Sequence, residues 1–217
     1  MPLLYARIVV DDKPGSLAAV TRGLAAAGAD IVTVDVLGSE GGLAVDDFVL
    51  RVADGPLGAQ VIRELAGLPG VAVESVRIAR DAPERRPDLD ALARMLRDPG
   101  RALQTYVERL PDVMRADWAL GLMPVGDGEV VAVARSKNAP RDAQPTLPDG
   151  GFGDGQAVMV RDARATSTVT AYCEIRAGGP VVSVVREGGP SFRAPELAHL
   201  HQLCEVAALM SGAPLNA

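Results

Sequence analysis

The run Asp11-Asp12-Lys13-Pro14-Gly15-Ser16-Leu17 holds the residue types with the most chemistry to offer. It lies where a strand-like stretch, Leu4 to Val10, hands over to a helix-like stretch, Leu17 to Ala27. A Pro-Gly corner at that junction leaves the first N–H groups of the helix without intrahelical acceptors, and such groups attract anions. Asp11 and Asp12 precede the corner and can hold a cation. Acids beside open amides suit a small zwitterion such as a free amino acid. Either aspartate would take its ammonium, and the N–H groups of Ser16 and Leu17 its carboxylate. Pro14 presets the turn, and Gly15 leaves room for close backbone approach. The same letters also make a plain turn with Ser16 as a helix cap, so a purely structural role stands beside the binding one.

Little else in the chain suggests chemistry. His199 and His201 are its only histidines, and their i, i+2 spacing puts them on different sides of a helix, unlike the i, i+4 pair of a zinc site. Cys173 and Cys204 form no CxxC pair and are expected as buried core thiols. No Ser, His and Asp set stands in a recognisable context. The segment Gly150-Gly151-Phe152-Gly153-Asp154-Gly155 lacks the Gly-Lys-Ser/Thr ending of a phosphate cradle and is expected as a flexible loop. Asp46 and Asp47 on the third strand are candidates for charged pocket residues, though exposed strand carboxylates are the first expectation. No catalytic residue, metal or cofactor is expected.

Composition narrows the classes further. The chain has 217 residues, 48% apolar and 23% charged, enough for one large or two small folded domains. A formal charge of −6 with 3% aromatic residues argues against a nucleic-acid partner, which calls for basic patches and stacking rings. Two cysteines make no disulfide framework and fit a reducing compartment. With no signal-peptide pattern and no run of membrane-spanning length, the cytoplasm is the expected address and no membrane partner is expected.

The elements that must position the first corner alternate in type. After the strand of Leu4 to Val10, Leu17, Val20, Thr21 and Leu24 make one face of a helix that ends at Gly28. Val32, Val34 and Val36 alternate with Thr33 and Asp35 in a second strand. Residues 38–42 turn the chain into a third strand, where Phe48, Leu50 and Val52 share a side. A second helix from Leu57 to Ala66 and a last strand from Val71 to about Ala79 complete a βαββαβ order. That order fits a four-stranded antiparallel sheet with two helices on one face.

Asp12-Lys13-Pro14-Gly15-Ser16-Leu17 and the run Ala27 to Ile31, set in this order, resemble the ACT domain, a small ferredoxin-like regulatory module. The resemblance implies amino-acid binding between two such domains by this loop and the second strand, with Ile31, Val32 and Thr33 lining the wall beside it. It also implies a homodimer, which would cover the sheet's edge strands.

Arg80 to Asp88, charged and carrying Pro83 and Pro87, reads as a linker over residues 81–88 between domains at 1–80 and 89–217. Two helical stripes follow, then strands from Trp118 to Pro124 and Glu129 to Arg135. A long Pro-, Gly- and Asp-rich loop spans Ser136 to Gly155. Val158 to Val160, Ser167 to Arg176 and Val181 to Arg186 are strand-like, and Ala194 to Met210 is a closing helix. The helix entering a strand at Ala116-Asp117-Trp118, the hairpin around Gly179-Pro180-Val181, and Gly189-Pro190-Ser191-Phe192-Arg193-Ala194-Pro195-Glu196-Leu197 resemble a GAF domain, a relative of the PAS fold. The resemblance implies an antiparallel sheet with flanking helices and a small-ligand pocket under the long loop, or a pairing surface. Ser136-Lys137 and Phe192-x-x-x-Glu196-Leu197 depart from the signature of cyclic-nucleotide-binding members, so that ligand is not expected.

The combined expectation is an α+β, non-catalytic regulatory protein that binds an amino acid at its first domain and senses or dimerises through its second. The competing expectations are an interaction module that dimerises and contacts a separate enzyme or regulator, and a small enzyme with its site in the long loop.

Overall fold

Leu4, Ala6, Ile8 and Val10 are buried at every second position of the first strand, β1 (Leu3–Asp11), the period that turns one face of a strand to a core. In a computed structural model of the protein, the chain divides into two units, Met1–Ala82 and Pro83–Ala217. The structure describes residues 2–53, 57–79, 86–126, 129–143, 147–148, 157–161 and 168–210. Most of the expected linker (81–85), the hairpin turn at 127–128 and the Gly-rich 150–155 lie outside them.

In the first unit, α1 (Ser16–Ala26), β2 (Ala29–Glu40), β3 (Leu43–Val52), α2 (Leu57–Ala66) and β4 (Val71–Ala79) follow β1. The sheet is antiparallel with order β2-β3-β1-β4, the ferredoxin-like βαββαβ arrangement. Val20 and Leu24 of α1 and Val61 and Leu65 of α2 bury against Ile8, Phe48, Leu50 and Val52. Each such side chain contributes about 1.5–3 kcal/mol of transfer free energy. Leu17 is 39% exposed, so the buried stripe of α1 starts one turn later than expected, at Val20. The expected turn at 38–42 is shorter than the sequence suggests. β2 runs to Glu40, and Gly41 and Gly42, both with positive φ, make the hairpin alone.

The second unit opens with α3 (Pro87–Arg97), so Pro87 and Asp88 belong to a helix rather than a linker. Proline suits that first position, where its missing N–H has no intrahelical acceptor to lose. A 3-10 turn, Pro99–Arg101, leads into α4 (Ala102–Val113). β5 (Trp118–Gly126), β6 (Glu129–Arg135), β7 (Val158–Arg161), β8 (Thr168–Glu174) and β9 (Val181–Glu187) form a second antiparallel sheet, order β6-β5-β9-β8-β7. α5 (Ala194–Met210) closes the unit. One face of this sheet packs Ala119, Ala171, Val182 and Val184 against Met95, Tyr106, Leu110, Leu200 and Leu203 of the helices. The fold is thus α+β throughout, with an antiparallel GAF-like sheet and flanking helices in the second unit.

Candidate functional site

The Pro-Gly corner is held by its backbone. The Asp11 N–H donates to Gly70 O at 3.0 Å and the Asp12 N–H to Gly42 O at 2.8 Å, which ties the end of β1 to the turns on both sides of it. The Lys13 N–H donates back to Asp11 O at 2.9 Å, and the Ser16 N–H to Lys13 O at 3.2 Å. Gly15 is the helix cap, at φ 95°, with no side-chain capping bond. That φ, rather than crowding, is why glycine stands here: a Cβ would meet nothing within 4 Å. The structure therefore revises two expectations. Ser16 does not cap the helix, and its amide is already engaged. Among the described residues, the amides of Gly15, Leu17 and Ala18 have no acceptor, and those of Leu17 and Ala18 belong to the first turn of α1.

The acids differ sharply from one another. The Asp11 carboxylate pairs with Lys13 Nζ at 2.8 Å. Asp12 is exposed, and its side chain has no hydrogen bond or ion pair among the described residues. Asp46 and Asp47 are buried, at 3% and 7% exposure, contrary to the expectation of exposed strand carboxylates. Asp47 faces the side of the sheet away from the helices and is clasped by Arg7, Nε to Oδ1 at 2.6 Å and Nη2 to Oδ2 at 2.8 Å. Asp46 sits opposite Ile8 and Val36, on the helix-covered face with Phe48 and Leu50. It has no hydrogen bond or ion pair among the described residues. Burial pushes its carboxyl pKa up, and the negative charges of Asp47 and Asp12 push it further. An acid largely covered by its neighbours, without a partner among the described residues and close enough to feel Asp12, is a place where an ammonium group would be welcome.

Ile31, Val32 and Thr33 are not beside this corner within one chain. Ile31 pairs with Leu50 and Thr33 with Val49, while Asp11 pairs with Leu43. Six or seven strand residues separate those rungs, roughly 20 Å at the usual rise. The register also breaks between Ile31 and Thr33. Ile31 therefore packs on the core, while Thr33 shares the other face with Val49. Thr33 Oγ1 is buried with no hydrogen-bond partner. The part of β2 level with the corner is Val36 to Glu40.

In the second unit the residues that drew attention by type are occupied structurally. Arg186, 1% exposed, donates from Nη2 to Glu196 Oε1 at 2.6 Å and to Met114 O, and from Nη1 to Pro190 O at 3.3 Å. Its guanidinium lies 3.9 Å from the Phe192 ring centroid. Phe192 and Glu196 thus anchor the start of α5 to β9. The described part of the long loop packs Ala139, Ala143 and Leu147 onto Leu120, Leu122, Tyr172 and Val181 of the sheet's other face. Among the described residues no group of three or more His, Cys, Asp or Glu is placed to hold a metal ion, and no helix is long and apolar enough to cross a membrane.

The first unit thus sets open amides at the start of α1 and, on β3, a carboxylate without a partner among the described residues into a βαββαβ sheet. The family model of the ACT domain matches residues 5–70, and the first unit is an ACT domain, a regulatory module. Similar solved structures include the ACT domain from GTP pyrophosphokinase of Chlorobium tepidum, at 19% identity and TM-score 0.30, with 38% of this chain and 91% of that chain covered. An uncharacterized protein from Thermotoga maritima is similar at 22% identity and TM-score 0.30, over 36% of this chain and 96% of its own. The GAF domain from Acinetobacter phosphoenolpyruvate-protein phosphotransferase is similar at 14% identity and TM-score 0.43, over 59% of this chain and 95% of its own. No curated protein matches the chain.

Proposed function

We propose that the ACT domain binds a free amino acid or similar small zwitterion at the Pro-Gly corner, and that the chain is a non-catalytic regulator. The observation that carries this reading is Asp46, 3% exposed on the helix-covered face of β3 and without a partner among the described residues. Asp46 and Asp12 take the ligand ammonium, and the Leu17 and Ala18 amides take its carboxylate, aided by the positive end of α1. The bound cation compensates the stranded acid, so ligand binding is linked to stability of the folded state. Pro14 and Gly15 hold the turn that leaves those amides open.

Ile31, Val32 and Thr33 join such a site only if a second copy brings its own β2 against the corner, because about 20 Å of strand separates them within one chain. The proposal is accordingly a homodimer in which each ligand touches both copies, so that binding favours one arrangement of the subunits. Val32, Val34 and Val36 stand 37%, 41% and 64% exposed along the edge strand β2. That apolar edge favours a second reading, in which the domain only pairs and contacts a separate enzyme or regulator.

A thermal-shift screen of the common amino acids, with the oligomeric state measured by light scattering, separates the two. The binding reading expects a ligand-specific rise in melting temperature that Asp46→Asn abolishes. A stable dimer with no shift from any amino acid supports the second reading.

A further inference from the structure

Cys173 on β8 and Cys204 on α5 are both buried free cysteines, yet they are not isolated in the core. Both belong to one buried cluster, and Cys204 stands three residues from His201 on α5, so the two residues share the helix face turned to β8. Tyr106 of α4 places its hydroxyl 3.3 Å from Cys204 Sγ. On the other side, Cys173 Sγ lies 3.9 Å from His201 Nδ1, and His201 Nε2 lies 3.7 Å from Glu205 Oε1. The result is a line of groups, Tyr106, Cys204, Cys173, His201 and Glu205, running from the core to water. The His201 side chain is 33% exposed, so Cys173 sits one side chain from solvent.

We propose that Cys173 and Cys204 are a redox-reactive dithiol in which Cys173 attacks a hydroperoxide and Cys204 resolves the product, closing a disulfide between β8 and α5. His201 accepts the Cys173 proton, and the thiolate attacks one peroxide oxygen. The S–O bond forms as the O–O bond breaks, and the departing oxygen takes the proton back from His201 to leave as water or an alcohol. Cys173 is now a sulfenic acid. Cys204 sulfur attacks it, the S–S bond forms, and the Cys204 proton leaves with the hydroxyl as water. The hydroperoxide is the two-electron oxidant, and both thiols are oxidised.

The surroundings split the two roles. Hydrogen bonding from Cys204, together with His201, draws the Cys173 pKa down against the opposing effect of burial, which favours the nucleophilic thiolate. Burial holds Cys204 well up, so it waits as a thiol. Tyr106, also pushed well up by burial, stays a phenol within hydrogen-bond reach of Cys204 Sγ, a pair in which either group can donate. Cys173 reaches His201, and Cys204 lies one turn from His201 on the same helix, which brings the two sulfurs to one strand–helix contact where a disulfide can close.

The test exposes the reduced full-length protein to hydrogen peroxide under native conditions, then blocks free thiols and maps peptides by mass spectrometry. The expected result is joint loss of both thiols, a mass lower by two hydrogens, a Cys173–Cys204 cross-linked peptide, and full reversal by dithiothreitol. Cys204→Ser is expected to stop at a sulfenic acid that a dimedone probe labels at Cys173. His201→Gln changes a partly exposed side chain and is expected to keep the melting temperature while slowing thiol loss about tenfold. Both thiols surviving peroxide that oxidises free cysteine, or a disulfide that only joins two copies, overturns the proposal. So does a His201→Gln variant that reacts at the unaltered rate.

Discussion

Asp46 and Asp47 are neighbours on β3 and face opposite sides of the first sheet, and their burial is handled in opposite ways. Asp47 gives both oxygens to the Arg7 guanidinium. Asp46 has burial, no hydrogen bond or ion pair among the described residues, and two acidic neighbours that raise its pKa further. A paired buried charge is part of the architecture, since its desolvation is offset inside the molecule. An unpaired one carries a cost that something from outside can relieve. On the proposed reading, the comparison separates a carboxylate that holds the sheet together from one kept for a ligand.

The largest expected effect comes from breaking the paired side. Asp47→Ala takes the two-pronged carboxylate partner from the buried Arg7 guanidinium and should lower unfolding stability by about 3 kcal/mol in urea denaturation. Replacing the pair together, Arg7→Met with Asp47→Leu, should recover most of that loss, because no charge is then left buried alone. Gly15→Ala is expected to be milder, about 1–2 kcal/mol, from forcing a side chain into the left-handed region while meeting no neighbour. Its melting temperature should fall with the Arg7–Asp47 pair intact.

The smallest effect, and the one of opposite sign, is expected at Asp46. Its carboxyl pKa is raised in the folded protein, so the folded state holds that proton more tightly than the unfolded chain does. Stability from this group is full below the ordinary carboxylate range and is lost as pH rises through the raised value. Asp46→Asn should therefore raise the melting temperature of the ligand-free protein at neutral pH, with the gain fading as the pH is lowered. Thermal melts across acid and neutral pH check it.

Much of this was legible in the sequence, and the part that was not has identifiable causes. The alternation Leu4, Ala6, Ile8, Val10 and the Pro-Gly corner are local patterns, and they place β1 and the start of α1. In β3 the inward phase set by Phe48, Leu50 and Val52 also carries Asp46 inward. Residue type argued for exposure, period argued against it, and period was the better guide. Nothing local announces Asp47, whose partner Arg7 lies 40 residues away. The family resemblance put Ile31 to Thr33 at the wall of a site between two domains, and within one chain the strand that carries them does not begin beside the corner. The chain returns at the far end, since α1 carries it the length of the sheet. The link between Cys173 and His201, 28 residues apart, is a strand–helix contact that helical spacing within α5 cannot reveal.

The most direct test of the account is calorimetric titration of the full chain with each common amino acid, repeated at neutral and acid pH and with Asp46→Asn. The account predicts that at least one amino acid binds at neutral pH, since its ammonium favours the charged form of Asp46. Its affinity falls as the pH drops through the raised Asp46 value, and the heat is absent in the Asn variant. Ligand at a hundred times its Kd should also add about 2.7 kcal/mol to stability. An amino acid that binds Asp46→Asn as tightly as the native chain, or no heat from any of them, would contradict it.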